Sequence, residues 1–316
     1  MDRSANIYVA GHKGLTGSAI TNHLQGAGYD RLLLRTHSEL DLTNQLAVDR
    51  FFNEERPDYV FLCAAKVGGI LANSTLPADF IRENLLIQTN VIDAAYRNGA
   101  SKLLFLGSSC IYPRAAPQPM KEEYLLTGPL EPTNEAYAVA KLAGISLCQS
   151  YRRQFGFPSI SLMPTNLYGP QDNFDLESSH VLAALIRKFH DAVVSGSKEV
   201  VIWGSGAPLR EFLFIDDLAE AAVFLMDQYD DETIINVGTG EDLSVQELAL
   251  IIKEISGFSG ELRNDLTKPD GMPRKLMDVT KINNLGWRAK TNLKFGIEQT
   301  YRWYAEQQSS VGVITG

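Results

Sequence analysis

Cysteine is scarce in this chain: Cys63, Cys110 and Cys148 are the only three among 316 residues. An odd count at wide spacing fits neither a disulfide framework nor a zinc ligand set. A reducing cytoplasm is the expected setting. Histidine is scarce too, with five residues, and no metal site is expected. Basic residues fall short of acidic ones, 29 against 38, which leaves a net charge of −9. That excess argues against nucleic acid or an anionic membrane surface as a partner. Long apolar runs are missing: no stretch approaches the roughly 18 residues that span a bilayer. Asp2 and Arg3 precede only the short apolar stretch 7–10, so no secretory signal is expected. Internal repeats and low-complexity segments are absent as well.

What is present is apolar material, 45% of the chain, enough for one large domain or two closely joined ones. The first half alternates short apolar runs with amphipathic stretches. Strands are expected at 6–10, 31–34, 59–63, 102–106 and 159–163, with helices at 15–25, 45–55, 78–98 and 138–155. This order predicts an α/β fold, a Rossmann-type doubly wound parallel sheet with helices on both faces. Unbroken runs such as Leu103-Leu104-Phe105-Leu106 suit strands buried on both sides. Beyond Pro170 the pattern loosens into helices at 181–194, 217–227, 245–255 and 294–306, and strands at 200–203 and 234–237. The stretch 268–275 has two prolines and a glycine, so no regular element is expected there. The expected division is a nucleotide-binding domain over 1–172, with segments near 211–240 returning to it. A smaller C-terminal α/β substrate-binding lobe then spans 173–316.

Gly11-His12-Lys13-Gly14-Leu15-Thr16-Gly17 joins the first strand to the first helix. Glycines so spaced allow a tight turn and close backbone approach to a pyrophosphate, which the helix N-terminus then faces. A glycine-rich surface turn is the alternative. After the second strand the chain reads Leu34-Arg35-Thr36-His37, without the ribose-binding carboxylate common in NAD enzymes. Lys13, Arg35 and His37 are therefore expected to face a 2′-phosphate, which favours NADPH. The alternative leaves Arg35 and His37 in a solvated loop. Asp41-Leu42 suits either the adenine edge or a cap before Gln45.

Tyr137 and Lys141 stand four apart at a helix start, so they share one face. Reduction of a ketone needs a proton donor as hydride arrives. A phenol near its ordinary value of 10 needs about 4 kcal/mol of phenolate stabilisation to reach 7. The Lys141 ammonium and a positive nicotinamide ring are the expected sources. Ser108 and Ser109 fall just past a strand, at the carboxyl edge where open α/β sheets bind ligands. Ser108 is expected to hydrogen-bond the substrate oxygen. Glycine turn, strand-end serine and Tyr-Lys pair, in that order, resemble an extended short-chain dehydrogenase/reductase.

Cys110 follows the serines directly. It is read either as a reactive thiolate beside Lys141 and the nicotinamide, or as a small buried hydrophobe. His180, at a helix start, is read as a cap or as a proton donor. As a pair the two can take a proton beside a carbonyl and return one on the opposite face, which is epimerisation chemistry.

Longer runs sharpen the resemblance. They include residues 64–70, Leu106-Gly107-Ser108-Ser109-Cys110-Ile111-Tyr112-Pro113, Glu131 to Ala138, Met163 to Pro170, Arg210-Glu211-Phe212 and Lys268 to Lys275. Together they resemble the GDP-L-fucose synthase family. That resemblance implies epimerisation at carbon-3 and carbon-5 of GDP-4-keto-6-deoxy-D-mannose, then NADPH-dependent reduction at carbon-4. It implies Ser108, Tyr137 and Lys141 as the reductive centre, Cys110 as epimerisation base and His180 as acid. It implies that Lys188, Trp203, Arg210 and Asp278 hold the GDP-sugar. Cofactor contacts are implied from the glycine turn, Arg35, His37, Asp41 and Leu42. Further contacts are implied from Leu106, Gly107, Ser108, Ser109, Tyr137, Lys141, Pro164, Thr165, Asn166, Leu167 and His180. A homodimer through the helices near 78–98 and 138–155 is implied as well. Lys13 and His37 stand where the family often carries Arg, which lowers bidentate phosphate capacity. The stretch from Asp227 to Ile234 is short, as a trimmed surface loop would be. Two further readings remain: a related enzyme making GDP-L-colitose, and a non-catalytic NADPH sensor. A sensor has no use for the proton donor that Ser108, Tyr137 and Lys141 compose.

Overall fold

A computed structural model describes residues 1–314. The chain runs β1 (Ile7–Ala10), α1 (Leu15–Gly26), β2 (Leu32–Leu33), α2 (Gln45–Glu55), β3 (Tyr59–Leu62), α3 (Ile70–Thr75), α4 (Pro77–Arg97), β4 (Lys102–Leu106), α5 (Glu135–Phe155), β5 (Ser159–Pro164) and β6 (Asn166–Tyr168). It continues with α6 (Val181–Ser195), β7 (Glu199–Trp203), β8 (Leu209–Phe214), α7 (Ile215–Gln228), β9 (Ile235–Val237), β10 (Asp242–Ser244), α8 (Val245–Ser256), β11 (Glu261–Asp265), β12 (Arg274–Lys275), α9 (Thr280–Asn284) and α10 (Leu293–Ile314).

Six strands form one all-parallel sheet in the order β2-β1-β3-β4-β5-β9. Strand residues alternate between two cores. Tyr8, Val60, Leu62, Leu103 and Phe105 pack with Val48 and Phe52 of α2, Val91 of α4 and Ile145 of α5. Ile7, Val9, Phe61, Leu104 and Ile160 pack with Ile20 and Leu24 of α1 and Leu218 of α7. Both faces are apolar because both are covered, as the sequence predicts. The strand order reverses beside β1, so a crevice opens at the carboxyl ends of β1 and β3.

A third core lies outside the sheet. It joins Leu182, Ile186 and Phe189 of α6 to Ile202 of β7, Phe212 of β8 and Leu248 of α8. Here β8 pairs with β10, β12 and β6, while β11 pairs with β7. The chain returns to the large sheet at β9, beside β5.

Several elements differ from expectation. The second strand shrinks to two residues. The stretch 268–275 ends in a strand after all: Arg274 and Lys275 pair with Leu209 and Arg210 of β8. Pro273 forgoes only an N–H; its carbonyl accepts from Leu209 N at 2.9 Å, so the ladder starts on the proline itself. The cap of α2 is Asn44, whose side chain accepts from Ala47 N at 3.2 Å. Asp41 is not that cap; it accepts from Thr43 N and Thr43 Oγ1.

One buried acid organises the junction between the cores. Glu211 is 0% exposed. Its Oε1 accepts from Thr239 N at 2.6 Å and Gly240 N at 2.8 Å, and its Oε2 from Met277 N at 2.8 Å. Its backbone carbonyl accepts from Asn166 Nδ2 at 2.7 Å. Burial pushes the carboxyl up, and the amides of Gly240 and Met277 pull it back. A buried carboxylate is tolerable when its lone pairs are filled in this way.

Candidate active site

The glycine turn lies at the crevice. Gly11 has φ +86°, and a Cβ there would lie 2.8 Å from Ala64 N, just past β3. A Cβ on Gly17 would collide with the Gly11 carbonyl. Packing thus requires both glycines. Gly14 is different: it is exposed, and a Cβ would meet only the Gly11 oxygen, at 3.5 Å. It is the N-cap of α1, with no side-chain cap and no acid in the first turn. The leading amides of α1 stay open, and His12 Nδ1 is buried without a hydrogen-bond partner among the described residues. Such a cradle fits a pyrophosphate.

At the end of β2, Arg35 lies over the Phe51 ring at 5.5 Å and forms an ion pair with Glu55. Lys13 and His37 are exposed, and His37 Nδ1 stands 4.0 Å from Asp41. Arg35 therefore meets any phosphate with a carboxylate partner already in place. Leu42 is buried, and its carbonyl accepts from Asn90 Nδ2 at 2.9 Å.

The chemical groups gather at the end of β4. Ser108 Oγ accepts from Cys110 N at 3.2 Å and so caps the 3-10 turn Ser109–Ile111 that presents the thiol. Ser109 itself is buried. Gly107 N donates to Leu162 O at 2.8 Å, which locks the strand end to β5. From α5, the Tyr137 phenol stands beside Ser108 and meets the Phe80 ring edge-on at 6.4 Å. Burial raises the phenol above its ordinary range, the Cys110 sulfur adds to this, and Ser108 opposes it. The expected lowering of Tyr137 therefore does not arise within the chain. Lys141 is 3% exposed, donates to Leu106 O at 2.7 Å and lies 5.8 Å from the Tyr137 ring centre. Burial brings its amine down to about 8.

That depression has a stability consequence. The unfolded chain holds the Lys141 proton up to its ordinary 10.5, the folded chain only to about 8. Between those values the unfolded state binds more protons, so stability rises with pH across that window. Below it, the buried cation costs stability. Lys141→Met is expected to gain about 1–2 kcal/mol at neutral pH and to flatten that rise. Urea unfolding at several pH values measures both; a variant weaker than the parent at neutral pH would contradict the assignment.

His180 is the N-cap of α6, but its side chain makes no cap hydrogen bond. The residue is exposed. Desolvation by its surroundings, then the charge of Lys275, hold it below the ordinary histidine range. Lys275 Nζ also donates to Cys110 Sγ at 3.5 Å. One lysine thus faces both Cys110 and His180, which places the two on a shared space.

Farther out, Lys188 donates to Val201 O at 2.9 Å and lies 4.9 Å from the half-exposed Trp203 ring. Lys268 approaches the same ring at 5.1 Å. Arg210 donates to Leu209 O at 2.9 Å and Asp270 O at 3.3 Å. These groups occupy the lobe. Asp278 instead accepts from Thr280 N at 2.9 Å, and its carbonyl accepts from Asn236 Nδ2 at 3.1 Å. Pro164 ends β5, while Thr165 and Asn166 bond the Glu211 carbonyl, and Leu167 pairs with Leu213. A separate surface recess between α8 and α10, lined by Glu254, Lys294 and Tyr301, contains none of these residues.

Lys275 and Glu211 lie inside the family-like runs without an expected role. A charged residue inside an otherwise apolar strand, Arg210-Glu211-Phe212-Leu213-Phe214, was the available signal for Glu211.

A pyrophosphate cradle, a strand-end serine and a buried Tyr-Lys pair define a nicotinamide-dependent enzyme of carbonyl chemistry. Residues 7–238 match the NAD dependent epimerase/dehydratase family. GDP-L-fucose synthase 1 of Arabidopsis thaliana is 61% identical, over 96% of this chain and 94% of that one. GDP-L-fucose synthase of Escherichia coli is 51% identical, over 96% and 97%. Among solved structures, a GDP-mannoheptose C4 reductase from Campylobacter jejuni with NADP bound matches with a TM-score of 0.88 and 44% identity, over 96% of this chain and 99% of that one. The chain belongs to the NAD dependent epimerase/dehydratase family and, within it, to the GDP-L-fucose synthase family. No helix among the described residues is long and apolar enough to cross a membrane, and no metal-binding cluster occurs among them.

Proposed function

We propose that this chain converts GDP-4-keto-6-deoxy-D-mannose to GDP-L-fucose, by epimerisation at carbon-3 and carbon-5 and then reduction at carbon-4. The observation that carries this is the sharing of one strand end by a reductive set and a thiol: Tyr137 stands beside Ser108, and Ser108 caps the turn bearing Cys110. The 4-keto group acidifies both neighbouring C–H bonds, so one ketone serves all three steps.

Cys110 takes the proton from the ring carbon, and the electron pair moves onto the ketone oxygen. Ser108 and Tyr137 hydrogen-bond that oxygen. His180 returns a proton on the opposite face. NADPH, when bound, supplies the hydride to carbon-4. Tyr137 gives its proton to the oxygen, and Lys141 stabilises the phenolate left behind. Lys188 and Arg210 neutralise the diphosphate, and Trp203 offers a stacking face to the base. Residues 1–172 hold the cofactor, with β9 returning to that sheet, and 173–316 hold the sugar nucleotide. Two copies pair through the outer faces of α4 and α5, and the protein works in the cytoplasm.

The test is a coupled assay on GDP-4-keto-6-deoxymannose, with NADPH and NADH in parallel. NADPH oxidation matched by GDP-L-fucose is expected, with NADH slower. Absence of both at micromolar enzyme excludes the reading, and a GDP-sugar product other than GDP-L-fucose replaces it.

A further inference from the structure

Lys275 is a buried lysine, 9% exposed. Among the described residues, its ammonium donates to Cys110 Sγ and is paired with no carboxylate. A cation held away from water favours a partner that carries negative charge. The thiol, when ionised, is that partner. The position is also fixed. β12 is only two residues long, and its pairing sets Lys275 beside Arg210 of β8. Met277, two residues on, is held by Glu211 Oε2 at 2.8 Å, and Leu276 N donates to Gln118 Oε1 at 2.8 Å. The backbone on which Lys275 stands is thus anchored on its C-terminal side by two side chains.

We propose that Lys275 is a positioning residue for epimerisation: its ammonium holds the Cys110 sulfur in place and is the counter-charge for that sulfur when it acts as the base. The inference rests on the function proposed above. The thiolate takes the proton from carbon-3 or carbon-5, the C–H electron pair passes to the carbon-4 oxygen as an enolate, and His180 delivers a proton to the opposite face. The thiol then loses its proton to water and His180 regains one, so the pair is ready for the second carbon. Lys275 neither gives nor takes a proton. Its charge also faces His180, and a nearby cation makes an imidazolium release its proton more readily. A single charge thus favours base on one side and donor on the other.

Two measurements separate this role from a structural one. The first is the rate of Cys110 alkylation by iodoacetamide at one neutral pH, without substrate. Burial raises the thiols of Cys63 and Cys148 to about 12, and a Cys110→Ser chain gives their background. Lys275→Met is expected to slow alkylation about tenfold or more, and Lys275→Arg to restore most of it. The second is solvent deuterium entering the sugar, compared with NADPH oxidation on the ketone already epimerised at both carbons. Lys275→Met is expected to lose the first at least tenfold and keep the second. Alkylation in Lys275→Met equal to the parent's overturns the proposal, as does equal loss of exchange and reduction. If alkylation slows while the parent chain does not turn over GDP-4-keto-6-deoxymannose, the proposed substrate fails and the ion pair stands. Circular dichroism and the urea midpoint confirm folding, and Lys275→Gln replaces a variant that does not fold.

Discussion

Replacing Tyr137 by phenylalanine is expected to lower NADPH oxidation about 10³-fold while deuterium from solvent still enters carbon-3 and carbon-5 of the sugar. The substitution removes one oxygen and keeps the edge-on contact with Phe80. What it removes is a phenol that burial holds firmly protonated. A protonated donor next to the carbonyl is what hydride arrival demands. Its release of that proton needs positive charge nearby, and in the proposed mechanism Lys141, 5.8 Å from the ring centre, shares that task with the nicotinamide when bound. Epimerisation needs a base and a returning acid, and the proposed mechanism gives those roles to Cys110 and His180. Mass spectrometry of the sugar beside absorbance at the NADPH band reads both processes from one reaction. Equal loss of exchange and oxidation would end the division of labour.

The second large effect is the converse. Cys110→Ser is expected to cut deuterium entry and GDP-L-fucose formation by about 10³-fold. Reduction of a ketone supplied already epimerised should stay near that of the parent. Serine fills almost the same volume, and the capping contact at this position runs through the Cys110 backbone N, not its side chain. The turn therefore survives, and the loss isolates the basicity of sulfur, since a hydroxyl ionises far less readily than a thiol. A variant that keeps exchange within a few-fold of the parent would remove Cys110 from the chemistry.

The parts of this fold that sequence reveals are those where a single residue type meets a single environment. Leu103-Leu104-Phe105-Leu106 can only be a strand covered on both faces, and Gly11 and Gly17 answer to contacts a Cβ would break. β11 is the opposite case: Glu261-Leu262-Arg263-Asn264-Asp265 has no apolar period and exists because β7 pairs with it along five residues. Arg35 shows the same limit at the site. Its charge is legible; its engagement with Glu55, across a helix, is not. Tyr137 and Lys141 lie one helical turn apart and were legible as a pair, but the direction in which burial moves the phenol depends on walls from Phe80 and the β4 end. Lys275 lies 165 residues from Cys110, and they come together only through tertiary pairing, of β12 with β8 and of the segment after it with Met120.

Glu211 has a kinetic meaning as well as a static one. Its two oxygens hold amides at 239, 240 and 277, which belong to segments far apart in the chain. Release of that one side chain frees all three amides, so their protons are expected to exchange together. One carboxylate thereby couples the segment just after β12 to the turn after β9. The smaller lobe is thereby latched to the large sheet, and a loosening felt at one is felt at the other.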